Sequence, residues 1–291
     1  MMRPLTVMER WLLRLIALSC LLFCIVTPPF QAPDEPQHFI RSVRLAEGKI
    51  FAEKEGHAVG GWVERRFADL SQVDFPREAF GVATRYRPAD ITCAAARDAK
   101  DRETVFSEFA NVANYPPTLY LPQAVGVWLG ERLSMPSIAS FYLARVINIL
   151  AFLALLWAAV RVVPFGRPVL LAVAALPTTA YQAASVSPDA TINGLGWLVL
   201  ALSLAAGYGV AGAAKRHGWL VAASLPLGLC KGLYAPLASG HARSSDSLVR
   251  DRLYGCRHCL RSLDGVGRGR SGGLCGRIPH YQPTCQHRPA A

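Results

Sequence analysis

The chain has 291 residues, of which 52% are hydrophobic and only 18% charged. Its mean hydropathy of +0.25 and its apolar runs of nearly 20 residues favour a multi-pass membrane protein over a large soluble helical core. The formal net charge of +11 does not indicate nucleic-acid binding, because the basic residues flank the apolar runs or lie in an arginine-rich tail.

Residues 1–27 are predicted to form the first transmembrane helix, with its apolar run from about residue 9 to residue 27. Arg14 lies early enough in this run to snorkel to the interface. No small-x-small cleavage site precedes "TPPFQAP", and "ALSC" is a weak lipoprotein box. We therefore favour an uncleaved helix over a cleaved signal peptide.

Residues 28–137 are predicted to form a large extracytoplasmic loop with juxtamembrane helices. The polar segment up to Asn114 is too long for a simple loop, so we expect it to contain helices of its own. The stretch 114–137 either spans the membrane or lies along its interface, because its apolar part is short and contains Pro122 and Gln123.

Four further transmembrane helices are predicted within residues 138–238, at 138–160, 168–184, 189–210 and 219–238. If the stretch 114–137 does not cross, there are five spans, and every short basic cluster then faces the cytoplasm together with the N-terminus. If it crosses, those clusters fall outside. The predicted fold class is therefore an all-α polytopic protein of the bacterial inner membrane with about five spans.

The stretch "PPFQAPDEPQHF" places two carboxylates and an imidazole directly after the first helix. The prolines keep Asp34 and Glu35 out of a helix interior. Asp34, Glu35 and His38 could supply a catalytic base at the membrane edge, where partial desolvation makes a carboxylate a better base. Asp34 and Glu35 could also hold a divalent cation such as Mg or Mn. The structural alternative is that Asp34 caps a helix that starts at Pro36.

Two more polar motifs, "NYPP" and "SVSPD", are predicted on the same outer face. Asn114 and Tyr115 are expected to contact a headgroup or sugar, although Tyr115 could also be only an interfacial anchor. Asp189 is expected to position the acceptor or a metal ion. Its alternative is a tight turn in which Ser187 or Asp189 caps the next helix.

Two basic residues, Arg145 in "FYLARVIN" and Lys231 in "CKGLYAP", lie inside apolar runs, where a charge is expensive. Lys231 could snorkel to the interface. Two cations near an outward-facing acid cluster would suit an anionic lipid headgroup, so we expect Arg145 and Lys231 to hold a phosphate.

The motifs "QAPDEPQHFIRSVRLAEG", "NYPPTLYLPQAVGVWLG", "SFYLARVINIL", "YQAASVSPDATIN" and "CKGLYAPL" together resemble a family of uncharacterised multi-pass bacterial membrane proteins. The resemblance covers residues 1–238. That family is in turn similar to the GT-C superfamily of glycosyltransferases, which includes protein mannosyltransferases and the lipid A aminoarabinose transferase.

The resemblance implies transfer of a sugar from a polyprenyl-phosphate carrier on the extracytoplasmic side. Asp34 and Glu35 match the Asp-Glu pair that follows the first helix in GT-C enzymes and serves as base or organises a metal. Asp189 matches an outer acid of the aminoarabinose transferases. "NYPP" matches "KPP" or "HPP", but Asn114 replaces the Lys or His, so a cationic role there is not expected.

Residues 239–291 form a basic tail rich in Cys, Arg and Gly, without an apolar run. "CRHC" with the later Cys and His residues suggests zinc, but the spacings fit no finger or ribbon pattern. The tail is predicted to be disordered or, as we favour, the product of a shifted reading frame or truncation, since the family continues with further spans after "KGLYAPL".

The sequence thus predicts a GT-C-like membrane glycosyltransferase, whole or truncated, that passes a sugar from a polyprenyl-phosphate donor to a cell-envelope glycan or lipid. Membrane lipids and the lipid-linked sugar are the expected partners; no nucleic acid is expected, and no protein partner is identifiable. The alternative is a non-enzymatic transporter or scaffold for lipid-linked precursors. Ionisable residues at the outer ends of the spans, not at their middle, favour the transferase.

Overall fold

The structure is a computed structural model that describes residues 4–72, 103–208 and 213–230. All of them belong to one unit, Met1–Arg243. They are mostly helical, with a small sheet. The predicted tail, 239–291, and the last part of the final predicted span, 231–238, lie outside the described residues.

The helices are numbered in chain order: α1 Val7–Val26, α2 Glu35–Ala46, α3 Arg65–Gln72, α4 Leu121–Arg132, α5 Ser137–Val162, α6 Arg167–Ala174, α7 Pro177–Ala183, α8 Asp189–Gly207 and α9 Ala213–Cys230. A short 3-10 helix, Pro117–Tyr120, leads into α4. Three strands, β1 Glu53–Glu55, β2 Ala58–Glu64 and β3 Thr104–Glu108, form an antiparallel sheet in the order β1-β2-β3.

Helix α1 begins at Val7 because Thr6 and Glu9 form a capping box. Thr6 Oγ1 accepts the Glu9 N–H at 3.2 Å, and Glu9 Oε2 accepts the Thr6 N–H at 2.8 Å. The same Glu9 oxygen lies 3.8 Å from Arg167 Nη1, at the start of α6. This contact ties the beginnings of α1 and α6 together at one end of the bundle.

The small sheet is a feature that the all-α prediction missed. Gly56 and His57 form a two-residue turn between β1 and β2, and Gly56 takes a positive φ of +59° that favours glycine. β2 also pairs with β3, with Gly60 opposite Glu108. Strands of three to seven residues without an apolar run carry little sequence signal, which is why they were not predicted.

Helix α4 lies within the stretch whose crossing was left open. Its 12 residues extend about 18 Å, well short of the roughly 30 Å hydrocarbon core. It packs closely on α5, because a Cβ added at Gly126 would lie 2.5 Å from Ala144 Cα, and one at Gly130 would lie 2.3 Å from Ser140 Oγ. The helix in this stretch therefore has the length that the interfacial alternative predicts.

Among the described residues, two helices, α5 and α8, are long and apolar enough to cross a membrane by length and composition. The predicted span 168–184 is instead two short helices, with α6 ending at Ala174 and α7 beginning at Pro177. Pro177 has no N–H to continue the hydrogen bonds of α6, so the helix breaks there. The other predicted spans are α1, which contains Glu9 and two arginines, and α9, whose apolar part is short.

Large apolar side chains stay exposed along the outside of the helices. On α1, Trp11, Leu18 and Ile25 are 62%, 64% and 74% exposed. The opposite side of α1 buries Ile16 and Cys20 in a cluster with α5. A helix with one apolar face in the core and another apolar face outside is typical of a lipid-facing helix, since water would penalise the outer face.

Candidate functional site

A fully buried ion pair joins the start of α2 to α5. Arg145 Nε donates to Glu35 Oε1 at 3.0 Å and Arg145 Nη2 donates to Glu35 Oε2 at 2.9 Å, and both side chains have 0% exposure. The remaining guanidinium hydrogens bind backbone carbonyls at the end of α1: Thr27 at 2.8 Å, Pro28 at 3.1 Å and Cys24 at 3.3 Å. All five donors of Arg145 are thereby used.

The "SVSPD" turn closes over this pair. Glu35 Oε1 also accepts the Val186 N–H at 2.8 Å. From α4, Gln123 Nε2 donates to the Ser187 carbonyl at 2.6 Å, and from α5, Asn148 Nδ2 donates to the Ser185 carbonyl at 2.8 Å. We call Glu35, Arg145 and these backbone partners the buried junction. It holds the "PDEP" loop, α1, α5 and the "SVSPD" turn in one position.

These contacts bear on two predicted roles. Both oxygens of Glu35 bind protein donors, and Arg145 has no N–H left for a phosphate. The catalytic and metal-binding roles of Glu35 and the phosphate-binding role of Arg145 remain predictions, but the geometry favours a structural role for both. Among the described residues, no group of three or more His, Cys, Asp or Glu side chains has an arrangement that could hold a metal ion. The cation at Asp34 and Glu35 stays a prediction, and both oxygens of Glu35 are already bound by protein donors.

Asp34 has a different environment from Glu35. Its side chain is exposed, its backbone is left-handed at φ 56° and ψ 12°, and its carboxylate makes no cap hydrogen bond. α2 begins at Glu35 and not at Pro36, so Asp34 does occupy the predicted N-cap position, and its carbonyl accepts the His38 N–H at 2.9 Å. Its backbone is left-handed instead of extended, and the side-chain hydrogen bond of an ordinary N-cap is missing. Non-glycine residues in this region are uncommon and mark strain.

Phe30 explains how the strained loop is held. Like Asp34, Phe30 precedes α2 and has a left-handed backbone, at φ 62°. Unlike Asp34, it is only 4% exposed. Its ring packs 4.6 Å from that of Phe141 and 5.9 Å from that of Phe39, measured between centroids. Aromatic burial on one side of Asp34 and the buried junction on the other fix the loop, so the Asp34 carboxylate is presented from a rigid frame.

His38, one turn into α2, forms a buried pair with Tyr120. His38 Nδ1 lies 2.7 Å from Tyr120 Oη, and the ring of Tyr115 meets the His38 ring edge-on at 6.0 Å. Burial lowers the pKa of His38 to about 4, partly opposed by the charge of Asp34. Burial also raises the pKa of Tyr120 above its ordinary value, so near neutral pH a neutral phenol and a neutral imidazole share this hydrogen bond.

The other predicted binding residues lie around this pair. Asn114 is exposed and Tyr115 half-buried on the segment before the 3-10 helix. Asp189 is half-buried in the first turn of α8, its N–H donates to Ser187 Oγ at 3.3 Å, and its charge helps to raise the pKa of Tyr120. His38 thus contacts both Tyr120 and Tyr115, while the charge of Asp34 acts on the pKa of His38 and that of Asp189 on the pKa of Tyr120; we call these five residues the outer cluster. Lys231 lies outside the described residues.

Sequence reasoning missed Tyr120 and Arg41. Tyr120 has 0% exposure and ends the same "NYPPTLY" stretch that drew attention to Tyr115. Arg41 is 3% exposed and lies three residues after His38 on α2. A spacing of three residues puts two side chains on one helix face, and this was the available signal.

A cavity of about 200 Å³ lies between α8 and α9. It begins one turn from Asp189 and its walls are largely apolar. They are formed by Ile192, Asn193, Gly196, Trp197, Val199, Ser224 and Leu227. Its lining suits an apolar chain better than a sugar or phosphate.

Comparison with known proteins gives one match. The model of a family described as "Predicted membrane protein (DUF2142)" matches residues 17–247, which include the buried junction and the outer cluster. No curated protein matches the chain, and no solved structure does. The description names no activity. Since the match covers most of the sequence, the chain belongs to the DUF2142 family of predicted membrane proteins.

Proposed function

We propose that this chain is a GT-C-like glycosyltransferase that works at the outer face of the bacterial inner membrane. It takes a sugar from a polyprenyl-phosphate donor and passes it to a cell-envelope glycan or lipid. The observation that supports this best is the exposed Asp34 carboxylate, strained and rigidly held at the head of α2. Backbone strain at an exposed acid is a feature of sites where geometry serves chemistry.

In the proposed step Asp34 is the general base. Its carboxylate takes the proton of the acceptor hydroxyl while that oxygen forms a bond to the anomeric carbon of the sugar. The bond between the anomeric carbon and the phosphate oxygen breaks, and polyprenyl phosphate leaves with the electron pair. Glu35, already paired with Arg145, positions Asp34. His38, Tyr115, Asn114 and Asp189 bind the sugar and the acceptor.

The five-span topology belongs to the same proposal. Glu9 and Arg167 meet at one end of the bundle, and Arg145 meets the end of α1 at the other. With α6 and α7 forming one broken crossing, α1, α5, α6–α7, α8 and α9 can alternate in direction. This puts the N-terminus in the cytoplasm and the outer cluster outside. Reporters fused after Asn114 and after Lys215 should report opposite sides of the membrane; the same side for both contradicts this topology.

The transferase is preferred over a transporter because of what the structure buries. A transporter lines the middle of its spans with ionisable groups that bind substrate. In the described part of α5 and α8, Arg145 is the basic residue nearest the middle of a span, and all its donors bind protein. The cavity between α8 and α9 would accept the prenyl chain of a bound donor.

The activity is tested with purified protein in nanodiscs and radiolabelled polyprenyl-phosphate hexoses. Asp34→Asn should lower transfer by about 100-fold or more, as removal of a general base does. Asp69→Asn, which neutralises an exposed acid on α3, is the matched control and should transfer normally. Full transfer by Asp34→Asn rejects the base. A wild-type chain that binds the donor without turning it over supports the scaffold instead.

A further inference from the structure

The buried arginines of the described residues differ in one respect. Arg44, Arg145 and Arg167 are at most 7% exposed, and each has a carboxylate oxygen within 4 Å, from Glu53, Glu35 and Glu9 respectively. Arg41 is equally buried at 3% exposure. It has no carboxylate within that distance in the described part of the chain, and its Nη1 has no hydrogen-bond partner there.

The surroundings of Arg41 do not offset its charge. Its guanidinium carbon lies 5.8 Å from the centre of the Phe109 ring, a weak cation–π contact. Two ionisable groups lie close enough to affect its charge. Arg44 repels it, and the phenol of Tyr120 stays protonated and therefore supplies no negative charge. A buried cation without a counter-ion costs several kcal/mol. A bound ion is one of the recurring explanations for an unsatisfied buried polar group in a native structure.

We infer that Arg41 forms a binding subsite for the phosphate of a phosphate ester. Arginine donates in a fork that matches phosphate oxygens, and the unpartnered Nη1 supplies the free donor. Asp34 directly precedes α2 and Arg41 lies on α2 seven residues later, so the two residues are about 10 Å apart along the helix axis. An arginine side chain with a sugar phosphate can bridge that distance. The inference deepens the proposed function. Phosphate binding at Arg41 stands by itself, and only the statement that the bound phosphate carries a sugar rests on the proposed function.

Phosphate binding can be tested without sugar transfer. The probes are farnesyl phosphate, inorganic phosphate and farnesol, titrated into the purified chain in nanodiscs with affinity read by calorimetry and by the shift in Tm. The wild type should bind farnesyl phosphate much more tightly than farnesol, which has the prenyl chain but no phosphate. Arg41→Gln should weaken that binding by roughly 10- to 100-fold. Arg41→Lys should retain part of it, and Arg132→Gln, at an exposed arginine on α4, should leave it unchanged.

A structural role for Arg41 predicts a different result. Because an unpaired buried charge does not stabilise the empty protein, Arg41→Gln should keep or raise the Tm without ligand. A variant that unfolds, or one that binds farnesyl phosphate as the wild type does, overturns the inference, as does equal binding of farnesol. Inorganic phosphate binding as tightly as farnesyl phosphate identifies free phosphate as the ligand source; much weaker binding identifies the lipid headgroup.

The same titration separates this subsite from the catalytic proposal. Asp34→Asn should bind farnesyl phosphate as well as the wild type does, because Arg41 and not Asp34 holds the phosphate. If phosphate binding depends on Arg41 while no sugar is transferred, only the proposed function fails. If transfer depends on Asp34 while binding ignores Arg41, only the subsite fails.

Discussion

Glu35 and Asp34 are adjacent in sequence but lie in two regions with opposite physical character. Glu35 has 0% exposure and belongs to the buried junction, where every donor of Arg145 has an acceptor. Asp34 is exposed, left-handed and without a cap hydrogen bond. A buried charge must be fully satisfied to be tolerated, whereas an exposed one can be left available. Of two neighbouring acids, one therefore holds the site and the other can act in it.

The same contrast holds for the wider regions. The buried junction ties α1, α2, α5 and the "SVSPD" turn through short hydrogen bonds. The outer cluster contains a strained Asp34 and a histidine kept neutral by burial, and next to it lies Arg41 with an unpartnered nitrogen. Unsatisfied and strained groups concentrate where a ligand completes the structure. The four predictions that follow test this division, from the largest expected effect to the smallest.

Breaking the buried junction should have the largest effect on stability. Arg145→Met leaves the Glu35 charge buried without a counter-ion, which costs about 3–5 kcal/mol. The double variant Arg145→Met, Glu35→Gln removes that charge and should recover part of the loss. Unfolding in detergent measures both. Arg132→Met, at an exposed arginine, is the control, and a loss as small as that of the control would mean that the junction is not the anchor.

Acid should destabilise the protein through His38. Its pKa is about 4 in the folded chain and 6.5 as a free group, so the unfolded chain binds more protons between those pH values. Stability is fully present above pH 6.5 and falls by about 3 kcal/mol towards pH 4. His38→Gln should remove this part of the pH dependence, measured as the free energy of unfolding. A pH profile of His38→Gln identical to that of the wild type would contradict the assignment.

The close contact between α4 and α5 tests whether tight packing extends beyond the ion pair. Gly126→Ala places a Cβ 2.5 Å from Ala144 Cα, so the helices must separate at a cost of about 1–3 kcal/mol. A Cβ added at Gly196 on α8 would have no neighbour within 4 Å. Gly196→Ala should therefore raise the free energy of unfolding by up to about 1 kcal/mol through helix propensity. Thermal unfolding should show a lower Tm for Gly126→Ala and a higher Tm for Gly196→Ala. A higher Tm for both variants would show that the α4–α5 contact can relax.

Asp34→Gly should have the smallest effect on stability. Glycine adopts a left-handed backbone freely, so the variant should gain about 1 kcal/mol. Ser134 is also left-handed, at φ 54°, and Ser134→Gly should gain a similar amount. The two variants differ in function: Asp34→Gly should lose sugar transfer, while Ser134→Gly should keep it. Measuring sugar transfer and Tm on both variants separates the effect of losing the carboxylate from the effect of relieving the backbone strain. Sugar transfer by Asp34→Gly would disprove the catalytic role.

Asp34, His38, Tyr115 and Asp189 were singled out in the sequence as polar groups at the ends of apolar runs. The structure places His38 beside Tyr115 and Tyr120, and the site itself stays a prediction. The separate roles of Asp34 and Glu35 could not be predicted. The partner of Glu35 lies 110 residues away, and no local pattern states which of two adjacent acids turns inward.

The fold shows the same limit. Helices α5 and α8 follow from apolar length alone, because a long apolar run stabilises a helix wherever lipid or a core receives it. The hairpin at Gly56 and the break before Pro177 were missed. A short strand depends on pairing with a partner distant in sequence, and a proline inside an apolar run breaks the helix only if the surrounding helices accept the bend.

By itself, the sequence determined that this chain is apolar in long runs and that a small set of charged residues stands at their ends. Hydrophobicity and proline act locally, so these features are set before any tertiary contact forms. Only the tertiary structure decided which charges are paired and which stay available, since desolvation depends on every neighbour. That is why Glu35 and Arg145 neutralise each other inside the bundle, while Asp34 makes no cap hydrogen bond and Arg41 keeps one nitrogen without a hydrogen-bond partner among the described residues.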